Sequence, residues 1–188
     1  MNAVIAKPIL AIALLFALAG CTGGSPTATG SASPEASNIP LPSASATAAA
    51  DSPLRSRYPA TFTVETAEAE TIRLADAIDS LNTKSTTYVD NHNQVVAATT
   101  NSPSYYGVLR TLTLGQKISP VTTATHIVTS LLEAGWHPLQ ATVTQGVHVS
   151  TLSSGTDVAT SWFVVVSGDP TTATQPVVSI ALSSPDLP

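Results

Sequence analysis

The chain has 188 residues, 43% hydrophobic and only 10% charged, with a formal net charge of −5 and a single cysteine. It carries no run of basic side chains that would neutralise phosphates, which argues against nucleic acid as a partner and against electrostatic attraction to anionic lipid. One thiol makes neither an internal disulfide nor a cysteine-based metal site, so stability must come from an ordinary packed core.

The first twenty residues divide into three parts. Met1 to Pro8 hold one side-chain charge, Lys7; Ile9 to Leu18 have no polar side chain; and Ala19-Gly20 are small residues directly before Cys21. That order is the order of an export signal. The apolar run is about half the ~20 residues that a spanning helix needs. Leu18-Ala19-Gly20-Cys21 matches every position of the bacterial lipobox, and over its first 21 residues the chain resembles a bacterial lipoprotein precursor. The resemblance implies that residues 1–20 are removed and that the Cys21 sulfur takes a diacylglyceryl group. The protein would then be held by that lipid at the extracytoplasmic face of the cell membrane. Two acyl chains, at about 0.8 kcal/mol per buried CH₂, meet the requirement for stable anchoring. Without Lys7 the mature chain has a net charge of −6.

Residues 21–60 read as the lipidated cysteine followed by a tether. Of the 39 residues from 22 to 60, Ala, Ser, Pro, Thr and Gly supply 30, and the few large apolar side chains (Ile39, Leu41, Leu54, Tyr58) recur with no period. Such a segment buries too little surface to offset its ordering entropy and is expected to be disordered. As a coil it spans about 35 Å. Its Ser/Thr/Pro content also suits an O-glycosylated stalk, although nothing singles out particular hydroxyls.

Residues 61–188 form the expected domain, long enough for one core. Val64 to Leu81 reads as a helix with Ala67, Thr71, Leu74, Ile78 and Leu81 on one face. Glu65, Glu68, Asp76 and Asp79 line the other face, Glu70 can pair with Arg73, and Ile72 stands out as an exposed apolar residue. The acidic stripe is either a dock for a cation or basic partner or simply the solvated side of the helix. Residues 83–103 suit either a hairpin across Asn91-His92-Asn93 or a long polar loop. Tyr105 to Leu114 is a strand with Tyr106, Val108, Leu112 and Leu114 on one side; Arg110 among them needs an edge position or a carboxylate.

Ser119 as N-cap, Pro120 at the first position, and Gly135 with Pro138 as stop signals bound a second helix from Pro120 to Ala134. Trp136 just beyond it is placed to cap the core or to stack on a ligand. An antiparallel meander follows. Leu139, Ala141 and Val143 alternate with polar residues, Gln145-Gly146 makes a tight turn, and Val147, Val149 and Thr151 alternate again. Trp162 to Val166 is apolar on both faces, as in a central strand, and Val177 to Leu182 is the last strand, with Ser183-Ser184-Pro185 closing the order.

The expected fold class is therefore α+β: a four- to five-stranded antiparallel sheet packed by two helices, preceded by a signal peptide and a disordered linker. The segment Leu131-Leu132-Glu133-Ala134-Gly135-Trp136 and the Thr/Val-rich meander after it resemble the exported domains of small actinobacterial lipoproteins over roughly residues 105–184. That likeness implies a cell-envelope location and no particular reaction. No Gly-x-Ser-x-Gly elbow, metal-spaced histidine pair or phosphate loop is present, so no catalytic, cofactor or metal residue is assigned. The expected function is an envelope binding module without catalytic activity, partnered by an envelope protein or polymer. The alternatives are a small hydrolase using His126 or His148 with a carboxylate, and a small-molecule carrier.

Overall fold

Antiparallel strands make up the larger part of the regular secondary structure. The structure, a computed structural model, describes residues 37–38, 51–82, 86–100, 102–171 and 176–188. Cys21, the apolar run before it and most of the tether lie outside the described residues. All described residues belong to one compact unit, Ser33–Pro188. Among them, no helix is long and apolar enough to cross a membrane.

Six strands build the sheet: β2 (Thr86–Val96), β3 (Tyr105–Leu114), β4 (His137–Thr144), β5 (Val147–Ser153), β6 (Phe163–Asp169) and β7 (Val177–Ser183). A two-residue segment, β1 (Ser37–Asn38), adds to the edge of β4, and the order across the sheet is β1-β4-β5-β6-β7-β3-β2. Every pairing is antiparallel. The fold is thus α+β as expected, with more strands than the expected four or five.

The additional long strand comes from residues 83–103. Thr86–Val96 is neither a hairpin nor a loop but one strand laid along β3, with Asn91-His92-Asn93 in its middle and a bulge between Tyr88 and Asp90. Asn is compatible with a turn, but the open ladder of β3 offers ten partner residues, and a local turn preference does not compete with that.

Both helices lie on one face of the sheet. The first, α1 (Val64–Asp79), starts at a Thr63 cap whose side chain accepts from the Thr66 N–H, while Thr66 Oγ1 accepts in return from the Thr63 N–H. It buries Ala67, Thr71, Leu74, Ala75 and Ile78, close to the face read from the sequence. Ile72 is not stranded in solvent; it is partly buried against the core.

The second helix, α2 (Pro120–Glu133), is capped by Ser119, whose hydroxyl accepts from the Thr122 N–H at 3.2 Å. It ends in a full Schellman motif: the Gly135 N–H donates to Leu132 O and the Trp136 N–H to Leu131 O, with Gly135 at φ 95°. Its first turn presses on β6 at Gly168, where a Cβ would lie 2.6 Å from the Pro120 carbonyl oxygen.

The core between sheet and helices is filled by fully buried side chains that include Trp136, Trp162, Leu74, Ile127, Leu131 and Ile180. The Gln145-Gly146 turn has φ values of 52° and 83°, both positive as a type I′ hairpin requires. Leu139 departs from the predicted alternation and is 55% exposed. A bulge between Pro138 and Gln140 takes it out of register, so its side chain loses the inward position. Order also continues past Ser183-Ser184-Pro185, since the Leu187 N–H donates to Ser104 O.

The domain begins before residue 61. Residues 51–60, read from the sequence as tether, form a strap against the core. Leu54 is 5% exposed, and its carbonyl accepts from the Trp136 indole at 2.8 Å. Two apolar side chains, Leu54 and Tyr58, together with carbonyls placed for Arg73, suffice to order a segment whose composition alone predicts a coil.

Candidate functional site

The acidic residues of α1 come first, because the sequence marks them as a docking face. Arg110 lies on the helix side of β3 and is only 4% exposed. Burying a guanidinium requires counter-charge and hydrogen-bond acceptors. Its Nε donates to Asp79 Oδ2 at 3.2 Å, Nη2 to Asp76 Oδ1 at 3.3 Å and Nη1 to Asn93 Oδ1 at 2.7 Å. Glu68 accepts from the Tyr106 hydroxyl at 3.1 Å. Burial, reinforced by the bond to Glu68 and its charge, holds the Tyr106 phenol above its ordinary range. Glu65 is fully exposed, and bonds from its own backbone N–H and from the Thr63 hydroxyl hold its carboxyl below the usual range. Three of the four predicted docking acids thus hold groups of the sheet, while Glu68 and Asp76 also stay exposed.

Glu70 and Arg73 pair as predicted, with Nε to Oε2 at 2.7 Å and Nη2 to Oε1 at 2.6 Å. The bond to Glu70 is the main cause of a raised Arg73 pKa. The same guanidinium also donates to Pro53 O at 2.6 Å and Arg55 O at 2.8 Å, while the Arg57 N–H donates to Glu70 Oε1 at 2.7 Å. This pair therefore clamps the strap onto α1. Tyr58 stacks on Phe62 with ring centroids 5.0 Å apart, and both rings meet Trp162 edge-on. The Trp162 indole donates to Thr71 Oγ1 at 2.9 Å.

Trp136 caps the core. With its ring buried and its N–H bound to Leu54 O, no face is left for a ligand to stack on. His126 on α2 and His137 at the start of β4 are exposed, and His148 on β5 is half-buried in register with Gly168. None of these three makes a hydrogen bond or ion pair with a carboxylate among the described residues. Among the described residues, no three His, Cys, Asp or Glu side chains gather as a metal-binding group.

What the structure does bring together is the second face of the sheet, on which no described helix packs. Register places Thr142, Val149, Ser167, Ser179 and Thr111 in one row across β4, β5, β6, β7 and β3. The next row holds Gln140, Thr151, Val165, Ala181 and Leu109. Val165, Ser167, Ser179 and Ala181 are half-buried by their neighbours, and Leu109 is exposed. Strands about 4.8 Å apart and residues about 3.3 Å apart make these two rows roughly 24 Å wide and set them about 7 Å apart. Within these ten positions there is no charged residue, and the register continues the first row to Asp90 on β2. Chemically the surface offers small apolar side chains and hydroxyls on a rigid backbone, which suits shape-matched docking rather than ionic capture. Alternation along β4 and β5 and the two-sided apolar run of β6 are legible in the sequence; which side no described helix covers is not. Comparison with protein-family models, with curated proteins and with solved structures finds no match to this chain.

Proposed function

We propose that the chain is a lipid-anchored lipoprotein of the extracytoplasmic membrane face. In this reading it is a non-catalytic module that docks an envelope protein on the uncovered sheet face. The anchor rests on the lipobox Leu18-Ala19-Gly20-Cys21. The docking surface rests on one observation, the two rows of uncharged small side chains spread over five rigid strands. The fitting partner presents a flat, uncharged protein surface of similar extent. Its affinity is insensitive to salt, because neither side contributes screened charge.

The anchor is tested by labelling cells with an alkyne-bearing palmitate. The chain takes up label and Cys21→Ser does not; label retained by Cys21→Ser removes the anchor reading. The docking surface is tested by crosslinking pull-down from the cell's own membranes, using the unaltered chain beside Val165→Glu, which puts a charge in the middle of the face. One protein that is captured at both 0.1 M and 0.5 M salt (about 10 Å and 4–5 Å Debye length) and lost with Val165→Glu supports the reading. A partner retained by Val165→Glu, a polymer in place of a protein, or an empty eluate each overturns it.

A further inference from the structure

The two ends of the sheet differ in what they show to water. Register aligns Gln94, Gly107, Ser183, Phe163, Ser153 and His137 in one row, at the end where β4 and β6 begin. Every large hydrophobic side chain that is exposed among the described residues lies at this end. Val95, Leu109 and Leu139 stand within two residues of the row. Tyr58 meets Trp162, which directly precedes Phe163, and Val158, 71% exposed, stands in the loop from Ser153 to Phe163. Val64 opens α1 one turn before Glu68, which is bonded to Tyr106 beside Gly107. At the opposite end the described connections show Gly115, Gln116 and Lys117, and Thr144, Gln145 and Gly146, to solvent. We propose that the apolar end of the sheet is the membrane-facing surface of the domain, set against the uncharged interfacial layer of the bilayer that holds Cys21.

This inference rests on the anchor reading given above. The length of chain between anchor and domain permits the contact. Ser37 pairs with Val143, six residues along β4 from His137 and so about 20 Å from the end row. The sixteen residues from Cys21 to Ser37 reach at most about 55 Å, enough to return to that end. A lipid surface also fits the spread of the exposed side chains better than a protein does. They ring the end from β2 and β3 to β4, with Tyr58 and Val64 on the helix layer, rather than forming one packed patch. A protein interface needs a contiguous apolar core, whereas fluid lipid closes around separate side chains. The Tyr58 ring, with an apolar body and a polar tip, is of the kind enriched at the headgroup level. Charges at this end nearly balance, Arg55 and Arg57 against Glu65, Asp157 and Asp186, so the contact draws on apolar burial and not on anionic headgroups.

The test uses the full lipidated chain in phosphatidylcholine vesicles that contain a nitroxide-bearing lipid. Lipid occupies the Cys21 sulfur, so an introduced cysteine is the single free thiol for a fluorophore. Gln116 supplies the control position, exposed and about 30 Å away, since the ten residues of β3 separate it from the proposed contact. Nitroxide should quench the fluorophore on Val158→Cys and on Leu139→Cys several-fold more than on Gln116→Cys. Adding phosphatidylglycerol should leave that ratio unchanged. Equal quenching at both ends, stronger quenching at Gln116→Cys, or contact that appears only with phosphatidylglycerol overturns the proposal, while a chain that floats with the vesicles keeps the anchor. A chain that does not float with them overturns both. In the cell's own membranes a photocrosslinker on Val158→Cys should join to lipid, and a crosslink to a protein in its place overturns the proposal.

Discussion

Truncating Leu54 decides whether the domain begins at the strap. If residues 51–60 were tether, Leu54→Ala would cost nothing measurable. In the structure the side chain is packed into the core, where removing a buried leucine typically costs 2–5 kcal/mol, the transfer term plus the cavity. The strap is held by hydrogen bonds to Arg73 and Trp136 rather than enclosed on all sides, so it can settle into part of the space. That places the expected loss near the low end, about 2.5 kcal/mol, or a fall in Tm of about 8–12 °C for a domain of this size. Urea unfolding followed by tryptophan fluorescence is the assay, because both tryptophans touch the strap: Trp136 through its indole bond and Trp162 against Tyr58. Arg55→Ala, whose side chain is exposed, serves as control and should stay within about 0.5 kcal/mol. Arg73→Ala releases the same strap, so the double variant with Leu54→Ala should lose less than the sum of the two singles. A Leu54→Ala loss below about 0.5 kcal/mol, or strict additivity with Arg73→Ala, would refute the packing described for residues 51–60.

Three further outcomes follow from the geometry. Asp79→Ala leaves the buried Arg110 with exposed Asp76 and neutral Asn93 and should cost about 3 kcal/mol, whereas Arg110→Met removes the buried charge itself and should cost less; thermal melts showing the reverse order would contradict the ion cluster. Gly168→Ala should destabilise by about 2 kcal/mol, because its Cβ meets backbone at Pro120 that cannot swing aside; an unchanged urea midpoint would show that α2 sits further from β6. The raised Tyr106 pKa implies stability that is complete below the ordinary tyrosine pKa of about 10 and is lost as pH rises above it toward the folded value. Tyr106→Phe should therefore lose less stability between pH 8 and pH 11 than the unaltered chain, and parallel losses would disprove the assignment.

Elements governed by neighbours in the chain were legible from residues alone. Ser119, Pro120 and Gly135 bound α2 through caps that act within one turn, and both ends of β3 fall where alternation puts them. Gln145-Gly146 turns with Gly146 in the left-handed conformation that glycine adopts freely. What the tertiary structure decided is everything whose partner lies far along the chain. The strap is ordered by Trp136, 82 residues away, and β2 exists because β3 offers it a ladder, against the turn preference of its asparagines. The acids of α1 read as one solvated stripe in one dimension, and three dimensions give three of them Arg110 and Tyr106 as partners. The candidate site has the same origin. Alternation along a strand only separates two sides, and which side no described helix covers was decided when both helices packed against the other.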